Sequence, residues 1–210
     1  MSGTRPAIDL SAHLIDPTPP DGPAPIVWSE LFGNDRPVEL EIGSGKGLFL
    51  INAASSATSH NFLGVELARK YARMAAERLA RRQLANAKMW RGDARFIMGR
   101  LVPPASLRAV HVYFPDPWWK KRHKKRRVFT AELVVQIGQA LQPGGELKIA
   151  SDVEEYFILM QSLIAGDPRF REQAVPAITD AAHELDYLTN FERKYRLEGR
   201  AIFRAQYTFD

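Results

Sequence analysis

Residues 114–118 read FPDPW, which sets Asp116 between two prolines. Each proline ring locks its own φ near about −65°, so the turn is stiff and the carboxylate is aimed in advance. Positions 120–127 follow directly as KKRHKKRR. A fixed carboxylate can accept hydrogen bonds and offset a growing positive charge, while dense Lys and Arg neutralise a polyanion. The chain has 29 Lys and Arg against 24 Asp and Glu, a net +5. Seven of those cations lie in 120–127, which leaves 22 against 24 elsewhere, a net −2. The basicity is therefore a local patch of the kind that faces nucleic acid.

Other acids fall at regular places once the elements are read. VELEI (38–42), NFLGVE (61–66), AKMWRG (87–92), AVHVYF (109–114) and ELKIAS (146–151) are apolar runs of strand length. Helical periods separate them. LFLINAA follows the turn GSGKG. The next helix puts Leu67, Tyr71 and Met74 on one face and Lys70, Arg73, Glu77 and Arg81 on the other. Thr130 caps a helix carrying Leu133, Val134, Ile137 and Leu141, which PGG stops. Val153, Tyr156, Phe157, Met160, Leu163 and Ile164 stripe another, and AIFRAQYTF alternates like an antiparallel edge strand. The expected fold is α/β, a mostly parallel twisted sheet with helices on both faces and an antiparallel C-terminal edge strand. Residues 1–36 form a proline-rich arm, extended or partly disordered, and 37–210 a single domain.

In such sheets ligands bind beyond the carboxyl ends of the strands. The five strands deliver Glu41, Glu66, Asp93, Asp116 and Asp152 to that rim. The glycines of GSGKG (Gly43, Gly45, Gly47) let backbone approach a ligand, and their spacing is neither that of a dinucleotide fingerprint nor that of a phosphate cradle. Glu66, about twenty residues on, is placed to accept from two ribose hydroxyls. An acidic rim suits S-adenosylmethionine, with its ammonium, sulfonium and ribose, better than a phosphorylated cofactor.

EIGSGKG, GVE, RGDA, FPDPW with KKRHKKRR, SD and TNFE together resemble the bacterial tRNA (guanine-N7-)-methyltransferases, from about Val38 to the C-terminus. Aromatic-PDPW before a Lys/Arg/His block is the specific part; the glycine turn is shared by all class I methyltransferases. The resemblance implies a Rossmann-like class I fold, S-adenosylmethionine as cofactor and the tRNA variable-loop guanine 46 as target. It places Glu41, Gly43, Ser44 and Gly45 at the methionine end of the cofactor and Glu66 on its ribose. Asp93 and the backbone of Ala94 would read the adenine, with Asp116 the catalytic carboxylate beside the sulfonium. Lys120, Asp152, Thr189, Asn190, Phe191 and Glu192 would contact substrate. Arg122, His123, Lys124, Lys125, Arg126 and Arg127 would grip the RNA. Trp119 stands where the family usually has proline, and Ser151 where threonine is common.

The residue inventory bounds the chemistry. There is no cysteine, which excludes a thiol nucleophile, a thiolate zinc site and a cysteine-bound cluster, and so excludes methylation of unactivated carbon by those routes. The five histidines show no metal-ligand spacing, and no protein metal site is expected. Guanine N7 fits, because its lone pair needs no deprotonation. An amino-group methyltransferase acting on adenine N6 or cytosine N4 is the main alternative, since PDPW resembles the loop of those enzymes. A nicotinamide-dependent oxidoreductase and a non-catalytic RNA-binding module are further rivals. No apolar stretch reaches the roughly 20 residues of a membrane span, and the opening residues have no basic start followed by an apolar core, so no secretory signal is expected. The expectation is a cytoplasmic monomer or homodimer with tRNA as partner.

Overall fold

The computed structural model describes residues 8–16, 24–118, 122, 126–175 and 189–210. In chain order the elements are β1 (Leu14–Ile15), α1 (Trp28–Phe32), β2 (Val38–Ile42), α2 (Leu48–Ser56), β3 (Asn61–Glu66), α3 (Arg69–Arg81), β4 (Ala87–Arg91) and α4 (Ala94–Arg100). They continue as β5 (Leu107–Tyr113), α5 (Ala131–Ala140), β6 (Leu141–Ser151), α6 (Glu154–Ile164), β7 (Phe170–Gln173), α7 (Asn190–Leu197) and β8 (Phe203–Phe209).

The strands form one sheet in the order β1-β4-β3-β2-β5-β6-β8-β7. Pairing is parallel from β1 to β6 and antiparallel from β6 through β8 to β7. The chain builds outward from β2 to β3 and β4, then crosses to the other side of β2 to lay down β5 and β6. The reversal falls between β2 and β5, where loops diverge and leave a crevice at the carboxyl ends. Both faces are covered, which is why these strands read as near-continuous apolar runs. Val38, Leu40, Ile42, Leu63, Val65, Val110 and Val112 pack with α4, α5 and α6 on one face. Phe62, Met89 and Tyr113 pack with α2 and α3 on the other.

Four details differ from the sequence reading. The antiparallel end is two strands wide: β8 lies inside, and FREQ of β7 takes the edge. The 28–32 helix and the two-residue β1 belong to the arm, and Ile26 and Phe32 are buried in the body. The PGG stretch lies within β6, where Gly144 takes φ 76 and the register with β5 slips, so Leu141 starts the strand instead of ending α5. On α3 the buried face is Ala72, Ala75, Ala76 and Leu79, whereas Leu67 and Tyr71 are exposed. Small side chains win there because α3 presses on the glycine turn, and a Cβ at Gly47 would lie 2.7 Å from Ala75 Cβ.

Candidate active site

Glu41 is the penultimate residue of β2 and is 3% exposed, with Oε2 unpartnered among the described residues. Burial pushes its carboxyl group up to about 8; a bond from Ser44 opposes the shift and the nearby Glu66 adds to it. An orphaned buried carboxylate is costly unless a cation meets it. Beside it Gly43 and Gly45 take φ 78 and 51 with open space on their outer side, so this backbone is bare to a ligand. Glu66, ending β3, closes the turn by accepting from Gly45 N (2.9 Å) and Ala68 N (2.8 Å). Each oxygen retains a lone pair for a further donor. This set fits the ammonium and ribose of S-adenosylmethionine.

Asp93 caps α4, accepting from Arg95 N at 2.9 Å, and is also forked by the Arg95 guanidinium at 3.2 and 2.8 Å. That partner holds its pKa below the usual carboxylate range. Buried Ala94 follows it. Asp152, after β6, pairs with Arg200, whose guanidinium lies 4.1 Å over the Tyr195 ring. Arg200, 48 positions from Asp152, had no signal in the spacing. Ser151 accepts from Val153 N at 3.1 Å and shapes the turn into α6.

Asp116 stands exposed between β5 and the basic segment. Its turn is strained at both ends, with Phe114 at φ 51 and Trp118 at φ 42. Such conformations cost about 1–3 kcal/mol each and persist where surroundings enforce them. The surroundings are identifiable. Phe114 N donates to Ala150 O at 2.8 Å, and its ring packs at 6.2 Å from Phe191 and 5.6 Å from Tyr195 on α7. On the other side, Arg127 Nε donates to Pro117 O at 2.6 Å while its guanidinium sits 5.1 Å over buried Tyr156. Tyr156 is pushed up to about 12, chiefly by burial.

α7 is itself pinned. Thr189 Oγ1 accepts from Glu192 N at 3.0 Å, and the buried Glu192 carboxylate pairs with Arg204 on β8 and with Arg196 at 3.5 Å. Asn190 is half-buried and Phe191 exposed. The structure thus gathers Glu41, Gly43, Ser44, Gly45, Glu66, Asp93, Asp116 and Asp152 along one rim, with the 189–192 segment beside the Asp116 turn. Of the basic segment, Arg122 and Arg126 are exposed, Arg126 5.2 Å over the half-buried Trp118, and Arg127 faces inward. Trp119, Lys120, Lys121, His123, Lys124 and Lys125 lie outside the described residues.

Sequence reading also missed a buried polar file behind the site. His111 Nε2 and His60 Nδ1 each lie 2.8 Å from Glu39, and His111 Nδ1 lies 2.9 Å from Tyr113 Oη. Burial alone would raise Glu39, but the two imidazoles outweigh it and hold the carboxyl group at about 2.

The architecture recurs in solved structures. The aminoglycoside resistance methyltransferase NpmB1 superposes with TM-score 0.58 over 87% of this chain and 92% of that one, at 16% identity. A SAM dependent methyltransferase from Aquifex aeolicus gives 0.55 over 86% and 87%, at 12% identity. The fold is that of class I methyltransferases. Sequence narrows it further. The family model described as "Putative methyltransferase" matches residues 35–205. The tRNA (guanine-N(7)-)-methyltransferase of Rhodopirellula baltica is 45% identical over 97% of this chain and 76% of its own length. That of Rubrobacter xylanophilus is 37% identical over 84% of this chain and 78% of its own. The chain belongs to the tRNA (guanine-N7-)-methyltransferase family.

Proposed function

We propose that this protein methylates N7 of guanine in tRNA, at the variable-loop position numbered 46, acting in the cytoplasm as a monomer or homodimer. The observation that carries the reading is the crevice between β2 and β5: buried Glu41, its Oε2 unpartnered among the described residues, lies at the end of β2, and the neighbouring β5 leads into the exposed, pre-aimed Asp116. S-adenosylmethionine, when bound, supplies an electrophilic methyl group. Glu41 and the Gly43–Gly45 backbone hold its methionine end, Glu66 its ribose, and Asp93 with Ala94 its adenine. N7 already carries an in-plane lone pair, so no base is required and the protein's work is alignment, worth up to roughly 7–11 kcal/mol in favourable cases. Asp116 accepts hydrogen bonds from the guanine edge and offsets the positive charge that grows on the ring. Lys120, Asp152 and the 189–192 segment surround the base, and the basic segment neutralises tRNA phosphates.

Incubation with unmodified tRNA and labelled donor, followed by nucleoside analysis, is expected to yield 7-methylguanosine, absent when guanine 46 is replaced. Asp116→Ala is expected to abolish transfer while tRNA binding survives. Formation of 6-methyladenosine, or full turnover by Asp116→Ala, contradicts the assignment.

A further inference from the structure

We propose that the outer face of α3 is a second tRNA-binding surface, gripping the tRNA backbone across the crevice from Arg122 and Arg126. The inference rests on the tRNA reading above and adds a footprint to it.

Residues 69–82 contain Arg69, Lys70, Arg73, Arg78, Arg81 and Arg82 against the single acid Glu77. The inward face is Ala72, Ala75, Ala76 and Leu79, all buried, so the cations lie on the other faces of the helix. Outside 120–127 the cations are therefore not evenly spread, although the net charge of that remainder suggests they are.

Internal counter-charge is scarce. Arg73 and Arg81 share Glu77 at 3.2 and 3.9 Å. Arg69 is 3.6 Å from Asp16, which already binds Arg91 at 2.5 Å. Arg78 donates to Lys46 O at 2.7 Å, which brings exposed Lys46 to the same surface. Lys70 and Arg82 have no acidic partner among the described residues.

The head of the helix is also charged against its own stability. Arg69 and Lys70 occupy the first turn, which holds no acid, although the dipole there favours anions. Arg69 and Arg73, and Arg78 and Arg82, are like charges four residues apart, each pair costing about 0.2–0.5 kcal/mol. The Glu77 pairs and the cations of the last turn offset part of this cost, but the first turn gains nothing from Arg69 and Lys70 in solvent, whereas a bound polyanion reverses the sign there.

Position selects the polyanion. α3 begins at the rim just after Glu66, and β3 lies two strands from β5 in the order β3-β2-β5. At roughly 4.8 Å per strand, about 10 Å separates the head of α3 from the exit to the basic segment. α3 on one side and the exposed Arg122 and Arg126 on the other thus follow the strands that bound the crevice. Tyr71, 41% exposed on the first turn of α3, offers a ring for an unpaired base or sugar. The exposed large apolar residues here, Leu67 and Tyr71, lie at the head of the helix beside the crevice and not along its cationic length.

The test is the salt dependence of tRNA binding for the full chain and for the Lys70→Gln/Arg73→Gln/Arg82→Gln variant. The log–log slope is expected to fall by about 2, at roughly 0.7–0.9 per lost phosphate contact, with tRNA Kd weakened about 10–100-fold at 0.1 M salt. Unchanged donor binding by calorimetry shows that the variant is folded; if it is not, Lys70→Gln alone is expected to lower the slope by about 0.7–0.9. Slopes and Kd equal to wild type overturn the proposal. So does loss of binding to phosphatidylglycerol vesicles with tRNA binding intact, which would make the face a membrane contact. Wild-type production of 7-methylguanosine in parallel separates the two failures: its absence removes the underlying reading, whereas its presence with unaltered slopes removes only the second footprint.

Discussion

Glu41 allows a quantitative test of cofactor capture. Its carboxyl group is buried and titrates at about 8. To hold a cationic donor it must be ionised, so the competent fraction of free protein is about 1% at pH 6, about 9% at pH 7 and about half at pH 8, and apparent affinity scales with that fraction. Donor binding is therefore expected to tighten roughly ninefold from pH 6 to 7 and roughly fiftyfold from pH 6 to 8, close to 1.36 kcal/mol per unit on the acid side. At pH 7 each binding event should release about 0.9 proton. Calorimetric titration of S-adenosylmethionine in two buffers of different ionisation enthalpy measures both quantities. The donor's own ammonium titrates near the top of this window, so the ratio of wild type to Glu41→Gln at each pH isolates the carboxylate. Stability moves the opposite way. The folded pKa lies above the ordinary 4.5, so the stability that the neutral carboxyl contributes is complete below that value and is lost as pH rises toward about 8. Glu41→Gln should flatten that loss. A wild-type-to-variant affinity ratio constant from pH 6 to 8 would refute the argument.

Arg127→Ala frees Pro117 O and uncovers Tyr156, so turnover should fall by as much as about 10²-fold through misplacement of Asp116, while tRNA affinity shifts only slightly; weakened tRNA binding with intact kcat would make Arg127 an ordinary phosphate contact. Gly47→Ala should lose about 2–4 kcal/mol in urea unfolding, combining left-handed strain with overlap on Ala75. Gly43→Ala, at similar φ but facing open space, should lose only about 1–2 kcal/mol; equal losses would remove the claimed close approach.

Much of the frame was legible because it is local. Strands at 38–42, 61–66 and 87–91 announce themselves as short, largely apolar runs of strand length, and Thr130 caps α5 by accepting from Leu133 N at 3.2 Å. The rim of acids followed from strand ends alone. What stayed hidden depends on partners distant in sequence. β1 is two residues long and exists only by pairing with Met89 and Trp90. The large apolar residues Leu67 and Tyr71 outweigh alanines in any periodicity count, yet the alanines face the sheet, and Ala75 leaves the room that the close approach of Gly47 needs. Arg200 reaches Asp152 across 48 positions, and Glu192 meets Arg204 from another element, so neither pair leaves a spacing signal.

The place of β8 has a consequence for synthesis. It fills the sheet between β6 and β7, so the outer flank of β6 has no strand to pair with until residues 203–209 have been made. Between Asp152 and Phe203 a ribosome adding about 5–20 residues per second needs roughly 3–10 s. For that interval the nascent sheet shows a bare row of peptide groups, the state in which strands from neighbouring polypeptides add most readily. Emergence of the antiparallel strand closes that window, and in the same step Arg204 meets Glu192 and seats α7 over the Asp116 turn.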